Sequence, residues 1–395
     1  GRIGAEQNVR VQRALEVPFI DVEGRRSVLR CPRLPAPLHL LAGVLTWHGL
    51  PWPDRLSALR LAPALWEMRR TTPRRVGPTV RVGPTSRVGP TFRSGASDDE
   101  TVLTWLRRNG QSPGLIDRLW EPLAVAALNQ PISDAAAAPF VRVLADLFGP
   151  GPVSSAMVLP TRPLDEMYAV PARAFIEARG GEVRTGSLAR VLVEDGRVTG
   201  VDVRGERTET GVVVSTVPWH QLRSLFLTVP SGLARIVDDA SAMKSMPIVT
   251  VNLWYDRVVM DDPFVGLTGQ SMQWVFDKRR VFGEQASHLS LVSSAAVAIT
   301  PLRQEELIAL AAREVADSLV GARDARLLRA TVVREKQATF SLGRGEPPRP
   351  PTRTPVAGFF LAGDWTDTGL PGTIESAVVS GHAAARAILE GTATI

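Results

Sequence analysis

A strand, a glycine-rich turn and a helix follow one another near the C-terminus, and their residues could hold an electron-rich ligand. Residues 359–362 form an apolar run that predicts a buried strand, and this run leads into Gly363 and Asp364. After the turn, a helix of small residues is predicted to begin at Thr373. The start of a helix gathers unpaired backbone amides and about half a positive charge. The segment therefore predicts a site for an anion or an electron-rich carbonyl group.

The same segment resembles the C-terminal flavin motif of the phytoene desaturase and amine oxidase superfamily. The sequences Leu361-Ala-Gly-Asp-Trp-Thr-Asp-Thr-Gly-Leu-Pro and Thr373-Ile-Glu are most similar to the squalene-associated FAD-dependent desaturases, also described as hydroxysqualene dehydroxylases of hopanoid biosynthesis. Other segments of this chain resemble the same family, among them Val17-Pro-Phe-Ile-Asp, Trp120-Glu-Pro-Leu and Arg334-Glu-Lys-Gln-Ala-Thr-Phe. The resemblance therefore covers nearly the whole chain.

The resemblance implies that FAD is the cofactor and that this segment holds it. Asp364 would lie at the ribityl and pyrophosphate side of FAD, and Gly363 would permit its close approach. The amides around Thr373, Ile374 and Glu375 would face the pyrimidine edge of the flavin, where the reduced ring carries negative charge. The alternative is an ordinary helix cap after a buried strand.

Two positions outside this segment also match the superfamily. Val191 matches the backbone position that holds adenine, and Pro218 matches a turn that passes near the flavin. A plain sheet residue and an ordinary turn are the alternative interpretations of these two positions.

One part of the family pattern is missing from these 395 residues. The family carries a GxGxxG dinucleotide-binding fingerprint near its N-terminus, with an acidic residue about 20 positions later. Residues 1–4 do not supply this fingerprint, because no strand precedes them. By comparison with the family we expect roughly 60 to 80 further residues upstream. We therefore expect the 395-residue chain to bind FAD weakly or not at all, and a longer natural form to bind it.

The implied reaction converts hydroxysqualene to squalene, with a hydride passing from reduced flavin to the allylic carbocation that remains when the hydroxyl group departs. An acid must protonate the leaving oxygen. The candidates are Asp367, in the loop that should lie along the flavin, and Lys336, at the end of a strand that should approach the ring. A loop-capping aspartate and a lysine paired with Glu335 are the structural alternatives. His220 and His382 are expected to be structural.

Three other functions remain open. A carotenoid-type desaturase would oxidise a C30 or C40 chain with the same flavin geometry. An amine oxidase is less favoured, because the sequence has two tyrosines, Tyr168 and Tyr255, and no evident pair of aromatic residues beside the flavin. A truncated, non-catalytic module that binds a lipid or a partner would explain the missing fingerprint.

Charge and composition restrict the partners. The net charge is +6 and the isoelectric point is near 10.3, but the basic residues are scattered among acidic ones. This pattern argues against nucleic-acid binding and leaves an anionic membrane surface as a candidate partner. Cys31 is the single cysteine, which excludes intrachain disulfides and thiolate zinc sites. We expect a cytoplasmic protein with a long-chain isoprenoid substrate and peripheral contact with the inner face of the membrane.

The predicted fold is of the α/β class, in a mixed α+β arrangement. A Rossmann-like FAD/NAD(P)-binding domain, incomplete at its N-terminus, would be interleaved with a substrate domain of antiparallel sheet and helices. The predicted parts are a remnant of the FAD-binding domain (1–30), a helical subdomain facing substrate or membrane (31–165), an FAD-binding part (166–220), a substrate-domain sheet and helix (221–345) and a C-terminal FAD-binding segment (346–395). A threefold Arg-Val-Gly-Pro-Thr repeat at 75–91 predicts an exposed linker.

Local signals predict several elements inside these parts. Residues 35–70 predict two amphipathic helices, whose apolar stripe faces either the core or a lipid surface beside a substrate entrance. A capping box from Ser97 to Glu100 predicts the start of another helix. Residues 182–185 predict a strand, and residues 190–203 predict a hairpin around an Asp-Gly turn.

Overall fold

The chain divides into two compact units. The computed structural model of the protein describes residues 3–35, 37–64, 99–148 and 152–392, so the predicted repeat at 75–91 lies outside the described residues. Unit 1 comprises Gly1–Phe175 and Pro247–Lys336, and unit 2 comprises Ile176–Met246 and Gln337–Ile395. Helices and sheets occur in both units, which confirms the predicted mixed α/β class.

Strands in the described part of the chain form separate sheets of different size. In chain order they are β1 (Val9–Val11), β2 (Glu16–Ile20), β3 (Arg26–Arg30), β4 (Val158–Pro160), β5 (Ala189–Glu194), β6 (Arg197–Val203), β7 (Glu206–Glu209), β8 (Val213–Ser215), β9 (Ser245–Tyr255), β10 (Phe264–Leu267), β11 (Trp274–Asp277), β12 (Ser287–Ser293), β13 (Leu327–Phe340) and β14 (Phe359–Leu361). The largest sheet has seven strands in the order β13-β9-β12-β11-β10-β2-β3.

Helices occur in both units. In chain order they are α1 (Leu38–Thr46), α2 (Trp52–Ser57), α3 (Val102–Arg108), α4 (Pro113–Leu115), α5 (Glu121–Leu128), α6 (Ala137–Leu147), α7 (Val170–Glu177), α8 (Ala234–Ala242), α9 (Lys278–Phe282), α10 (Gln304–Ser318) and α11 (Ile374–Thr392). A π-helical turn, Ile116–Trp120, joins α4 to α5. Within the residues described, none of the helices has the length and apolar character that crossing a membrane requires.

The core of unit 1 lies between the seven-stranded sheet and α10. Alternate residues of β9, including Val249 and Val251, are fully buried because successive side chains of a strand point to opposite faces. From the helix, Leu307, Ala311 and Val315 join the same apolar cluster at spacings of about one turn. The covering helix and antiparallel sheet that the sequence indicates for this region are therefore present.

The N-terminal residues depart from the prediction for 1–30. Strand β2 pairs in parallel with β10, with Phe19 opposite Gly266, and in antiparallel fashion with β3. These strands therefore belong to the sheet of unit 1, whereas the prediction placed residues 1–30 in the FAD-binding domain. The apolar run of β2 predicts a buried strand, but it does not specify a partner about 250 residues away.

The start of α3 also departs from the prediction. Thr101 caps the helix, since its side chain accepts a hydrogen bond from the Thr104 amide while the Thr104 hydroxyl accepts one from the Thr101 amide. Glu100 instead forms an ion pair with Arg108 at 2.7 Å. Ser97 lies outside the described residues. Two hydroxyl side chains thus make the reciprocal cap that the sequence analysis assigned to a serine and a glutamate.

Unit 2 contains a parallel pair of strands and a three-stranded antiparallel sheet. Strands β8 and β14 run in parallel, with Ser215 opposite Leu361. The predicted hairpin is present as β5 and β6, joined by Asp195 and Gly196 with positive φ angles of 49° and 73°. Positive φ at both central residues is typical of the type I′ turns that join tight hairpins.

Two features of unit 2 differ from the sequence-based predictions. Residues 182–185 pair with no strand among the described residues, and an extended segment forms a ladder only when a neighbour accepts its hydrogen bonds. Residues 221–246 and 337–345, predicted in the substrate domain, belong to unit 2. Helix α8 packs on the short helix Trp219–Leu225, and the Phe226 ring lies 5.4 Å from that of Phe359, so local packing holds this segment to β14.

Candidate functional site

The predicted strand, turn and helix are present, and the parallel strand pair brings two predicted positions to one end. Strand β14 leads to Gly363 and Asp364, while its neighbour β8 leads to Pro218. The Trp365 indole Nε1 donates a hydrogen bond to the carbonyl of Val217 at 2.9 Å, which ties the two strand ends together. The structure thus brings Pro218 to the same end of the strands as the glycine-rich turn.

Two buried serines attach α11 to this turn. The Gly363 amide donates to Ser380 Oγ at 2.7 Å, and Ser376 Oγ donates to the carbonyl of Asp364 at 2.9 Å. Gly363 has a φ angle of 136°, and an added Cβ would lie 3.0 Å from the Trp365 ring, so a larger residue would strain this turn. The small residues of α11 therefore allow the helix to approach the turn closely.

The helix start exposes backbone where a planar ligand could approach. Thr373 caps α11, because its Oγ1 accepts a hydrogen bond from the Ser376 amide at 3.2 Å. Ile374, in the first turn, is 55% exposed. At Gly372 a Cβ would lie 3.2 Å from the Phe340 ring and 3.3 Å from Asp364 Oδ2, so a side chain there would fit only tightly. This arrangement fits a flavin, which needs amide donors and close contact with the main chain.

The Asp364 side chain lies partly buried at the end of the strand. Burial raises the pKa of Asp364, while hydrogen bonds from the backbone amides of Asp364 and Trp365 and the charge of Arg349 oppose this rise. A carboxyl group in this position can accept hydrogen bonds from hydroxyl groups of a ligand. This is the chemistry that the resemblance assigns to Asp364.

Arg349 holds the turn in place through hydrogen bonds, and the sequence analysis did not identify this residue. Its Nη1 donates to the carbonyl of Leu370 at 2.6 Å, and its Nη2 donates to that of Asp364 at 2.9 Å. Its guanidinium also donates to the carbonyls of Trp365 and Thr366 and to the Thr368 hydroxyl. Burial lowers the pKa of Arg349 to about 10, against the opposing charges of Asp367 and Asp364. One side chain therefore fixes the shape of the loop.

No hydrogen bond among the described residues joins the side chains of Asp367, Lys336 or Val191 to this network. Asp367 is exposed in the loop, and its amide donates to the carbonyl of Pro350 at 2.9 Å. Lys336 is exposed on β13, at the end of unit 1. Val191 is buried on β5 opposite Val201, in a different sheet from β14. The roles of these three residues stay predictions.

A profile of the family described as flavin containing amine oxidoreductase matches residues 14–389. The chain belongs to this family. Membership confirms the predicted family and its cofactor FAD, and it agrees with the fit of a flavin to the turn and helix of unit 2.

Curated relatives include hydroxysqualene dehydroxylases and phytoene desaturases. Hydroxysqualene dehydroxylase of Sinorhizobium fredii is 27% identical over 76% of this chain and 68% of its own length. The enzyme of the same name from Rhodopseudomonas palustris is 30% identical over 70% of this chain and 63% of its own length. The 15-cis-phytoene desaturase of Solanum lycopersicum is 25% identical over 90% of this chain and 60% of its own length. The chain thus spans 60 to 68% of the length of these relatives.

Solved structures share the fold. An oxidoreductase from Methanosarcina mazei aligns over 96% of this chain and 82% of its own, with a TM-score of 0.67 and 12% identity. Cyclohexylamine oxidase from Brevibacterium oxydans aligns over 99% of this chain and 84% of its own, with a TM-score of 0.62 and 13% identity. At these identities the likeness shows the fold alone.

Unit 1 of this flavin amine oxidoreductase contains an apolar cavity of about 360 Å³. Side chains from β2, β3, β11, β12, α1, α5 and α6 form its wall. Among the described residues the wall includes no charged side chain, and its hydroxyl groups are those of Ser155 and Ser294. The volume lies within the range typical of ligand pockets, about 300 to 1,000 Å³.

A buried histidine lies within hydrogen-bonding distance of one of these hydroxyl groups. His39 on α1 is fully buried, and its Nε2 lies 2.9 Å from Ser155 Oγ. Burial lowers the pKa of His39, which favours the neutral ring. The cavity therefore offers an uncharged surface to whatever enters it.

Proposed function

We propose that the protein is an FAD-dependent oxidoreductase of isoprenoid metabolism that reductively dehydroxylates hydroxysqualene to squalene. The observation that carries this proposal is the apolar, uncharged cavity of unit 1. A long hydrocarbon gains free energy by leaving water for such a surface, at roughly 25 cal/mol per Å² buried. The names of the bacterial relatives, hydroxysqualene dehydroxylases, support the same substrate class.

An uncharged hydrocarbon suits this cavity better than a protonated amine does. An amine that enters an apolar cavity gives up its hydration, and this costs several kcal/mol unless a carboxylate or an aromatic cage replaces the water. The cavity wall includes aromatic rings, among them Trp120 and Trp274, but among the described residues its own lining has no carboxylate.

The residues of unit 2 would hold the cofactor. Reduced FAD, when bound, would supply the hydride. Asp364 would accept hydrogen bonds from its ribityl side, and amides at the start of α11, near Ile374, would stabilise negative charge at its pyrimidine edge. Arg349 would keep the intervening loop in the shape that this contact requires. Val191 and Pro218 would contact the adenine and flavin through the main chain.

A carotenoid-type desaturase is the second candidate. One observation favours it: the match to the phytoene desaturase of Solanum lycopersicum extends over 90% of this chain, which is more than either hydroxysqualene dehydroxylase covers. The apolar cavity suits a phytoene chain equally well. Product analysis must therefore distinguish the two reactions.

The decisive assay uses the chain as encoded by its gene, loaded with FAD and reduced anaerobically with dithionite. Hydroxysqualene and phytoene are supplied separately, and products are identified by gas chromatography with mass spectrometry. We expect squalene from hydroxysqualene, and no change in phytoene under either reducing or oxidising conditions. Desaturated phytoene together with unchanged hydroxysqualene would establish the second candidate instead. Free FAD with dithionite serves as the blank.

A variant of the cavity tests whether it is the substrate site. Ala126 lines the cavity, and replacing it with tryptophan would occupy the space that a hydrocarbon chain needs. We expect Ala126→Trp to raise KM at least tenfold while the flavin content stays unchanged. Leu328→Trp, at an exposed position on β13, is the matched control and should leave KM unaltered. Equal KM values in the two variants would exclude the cavity as the substrate site.

We also propose peripheral membrane contact through the helices beside the cavity. Trp52 and Leu56 on α2 are 62% and 51% exposed, and Leu59 in the following turn is 43% exposed. Neighbouring residues of the same segment, Ala58 and Leu61, line the cavity. One segment thus presents apolar side chains both to the outside and to the candidate substrate site, as an entrance from a membrane would require.

Vesicle sedimentation tests this contact. Replacing both Trp52 and Leu56 with serine should abolish co-sedimentation with vesicles of phosphatidylglycerol and phosphatidylethanolamine. Leu328→Ser removes a side chain of similar exposure from β13 and should leave binding intact. Undiminished binding of the double variant would show that this segment does not contact the membrane.

A further inference from the structure

The helical segment formed by the π-turn Ile116–Trp120 and α5 lines two adjoining cavities of unit 1. Residues on one side of it, among them Leu119 and Leu123, line the apolar cavity. Residues on the other side, among them Asp117 and Glu121, line a second cavity of about 430 Å³. A π-helical turn carries an extra residue compared with an α-helical turn and often occurs at functional sites. The two cavities adjoin, because Phe19 and Pro122 line both.

Four charged side chains line the second cavity: Asp21, Asp117, Arg118 and Glu121. Asp21 is engaged by Arg25 at 2.8 Å, and Arg118 donates to the carbonyl of Gly49. The Glu121 side chain makes no hydrogen bond or ion pair with any residue of the described ranges, and it is half-buried. A carboxyl group is thus available where a polar cavity adjoins an apolar one.

We propose that Glu121 is the general acid that protonates the hydroxyl group of the substrate whose chain occupies the apolar cavity. The inference rests on the proposed reductive dehydroxylation, which needs such an acid. The proton passes from the Glu121 carboxyl group to the hydroxyl oxygen, and the C–O bond breaks with its electron pair leaving in water. The carbon remains as an allylic cation, and the hydride of the proposed two-electron reductant neutralises it.

The surroundings of Glu121 suit this role. Burial raises the pKa of Glu121, and the negative charge of Asp117, one turn earlier, raises it further. A raised pKa keeps a larger fraction of the carboxyl group protonated near neutral pH, as a general acid requires. After proton transfer, the negatively charged Glu121 carboxylate would face the allylic cation of the substrate. The Arg118 guanidinium, held at the Gly49 carbonyl, lines the same cavity.

The test compares Glu121→Gln with Glu121→Asp in the FAD-loaded chain encoded by the gene. We expect Glu121→Gln to lower kcat for hydroxysqualene by at least about 100-fold, the usual contribution of a general acid, with little change in KM. Glu121→Asp should restore part of the rate. Glu305→Gln, at an exposed position on α10, is the control.

The pH dependence gives a readout that a structural role would not produce. In the wild type, kcat should fall as pH rises through the pKa of Glu121. Asp117→Asn removes a negative charge that raises this pKa, so the falling limb should move to lower pH. Glu121→Gln should lack the limb. If the limb stays at its wild-type position in both variants, Glu121 is not the acid.

Ligand binding tests the position of Glu121 without any turnover. Dimethyldodecylamine, a cationic hydrocarbon, should bind the wild type at least tenfold more tightly than Glu121→Gln above the pKa of Glu121, whereas dodecanol should bind both equally. Equal amine affinities would show that Glu121 does not reach a ligand in the apolar cavity. If the wild type holds FAD but leaves hydroxysqualene unchanged, both the proposed function and the role of Glu121 as the general acid are refuted. If the wild type is active and Glu121→Gln is equally active, only the role of Glu121 as the general acid is refuted.

Discussion

Replacing Arg349 tests whether a single side chain maintains the loop of the candidate flavin site. The guanidinium donates to the carbonyls of Asp364, Trp365, Thr366 and Leu370, and to the Thr368 hydroxyl. These acceptors span a loop whose shape no regular secondary structure imposes. Arg349→Met keeps much of the volume of the side chain but removes all of the donors.

The loss of loop stability expected for Arg349→Met follows from the number of acceptors that lose their donor. A hydrogen bond to a charged group contributes roughly 1.5 to 3 kcal/mol, and a buried acceptor left unpaired costs roughly 1 to 3 kcal/mol. Water can reach part of the loop, since Asp367 and Gly369 are exposed, so the costs do not simply add. We expect Arg349→Met to destabilise the loop by about 3 to 5 kcal/mol. Arg349→Lys keeps the charge but not the planar fork and should cost about half as much.

Hydrogen exchange of the loop amides measures this cost. The Thr366 amide donates to the Gly363 carbonyl and the Asp367 amide to the Pro350 carbonyl, so both report whether the loop is closed. At about 1.4 kcal/mol per factor of ten, exchange of these amides should accelerate at least about 100-fold in Arg349→Met. Arg353→Met, which removes a guanidinium bound to the Ala387 carbonyl, is the control and should leave both rates unchanged. Wild-type exchange in Arg349→Met would refute the bracing role.

Further predictions concern Cys31 and Gly43 in unit 1 and Gly381 on α11. Burial raises the pKa of Cys31 from 9.0 to about 11, so iodoacetamide at pH 9 should label the native thiol at least about 50-fold more slowly than the urea-unfolded thiol. The free energy of unfolding should accordingly fall as pH rises from about 9 to about 11, because the unfolded state loses this proton first. Gly43→Ala would place a Cβ 2.5 Å from Cys31 Sγ and should destabilise the protein by about 1 to 3 kcal/mol, which urea denaturation would measure. Gly381→Ala, in open space on α11, should stabilise by about 0.5 to 1 kcal/mol, and a loss of stability comparable to that of Gly43→Ala would contradict the steric argument.

Local signals in the sequence predicted the elements that need only local information. The hairpin of β5 and β6 follows from alternating apolar residues around Asp195 and Gly196, whose backbone tolerates positive φ. The strand, turn and helix around Asp364 follow from an apolar run, glycines and small residues. The cofactor and the residues around Thr373 were predicted through the resemblance to a family, and family membership supports the cofactor.

Contacts between distant residues could not be predicted in this way. Arg349 lies 15 to 21 residues before its carbonyl acceptors, and no spacing rule connects an arginine to a loop at that distance. The pairing of Phe19 with Gly266 joins strands far apart in the chain. Glu121 was noted within a family sequence, but its position in the wall of the second cavity, beside the apolar one, depends on residues that lie far away in the chain.

The central claim is that backbone amides at the start of α11 stabilise a flavin, and Ile374→Pro tests it most directly. Proline is tolerated at the first position of a helix, where it removes one amide and leaves the fold intact. A lost charge-assisted hydrogen bond of roughly 1.5 to 3 kcal/mol corresponds to about 30 to 60 mV for a two-electron couple. In the FAD-loaded chain encoded by the gene, we therefore expect Ile374→Pro to lower the flavin reduction potential by about 30 to 60 mV relative to Ile374→Ala, which keeps the amide. Equal potentials in the two variants, at equal flavin content, would contradict the claim.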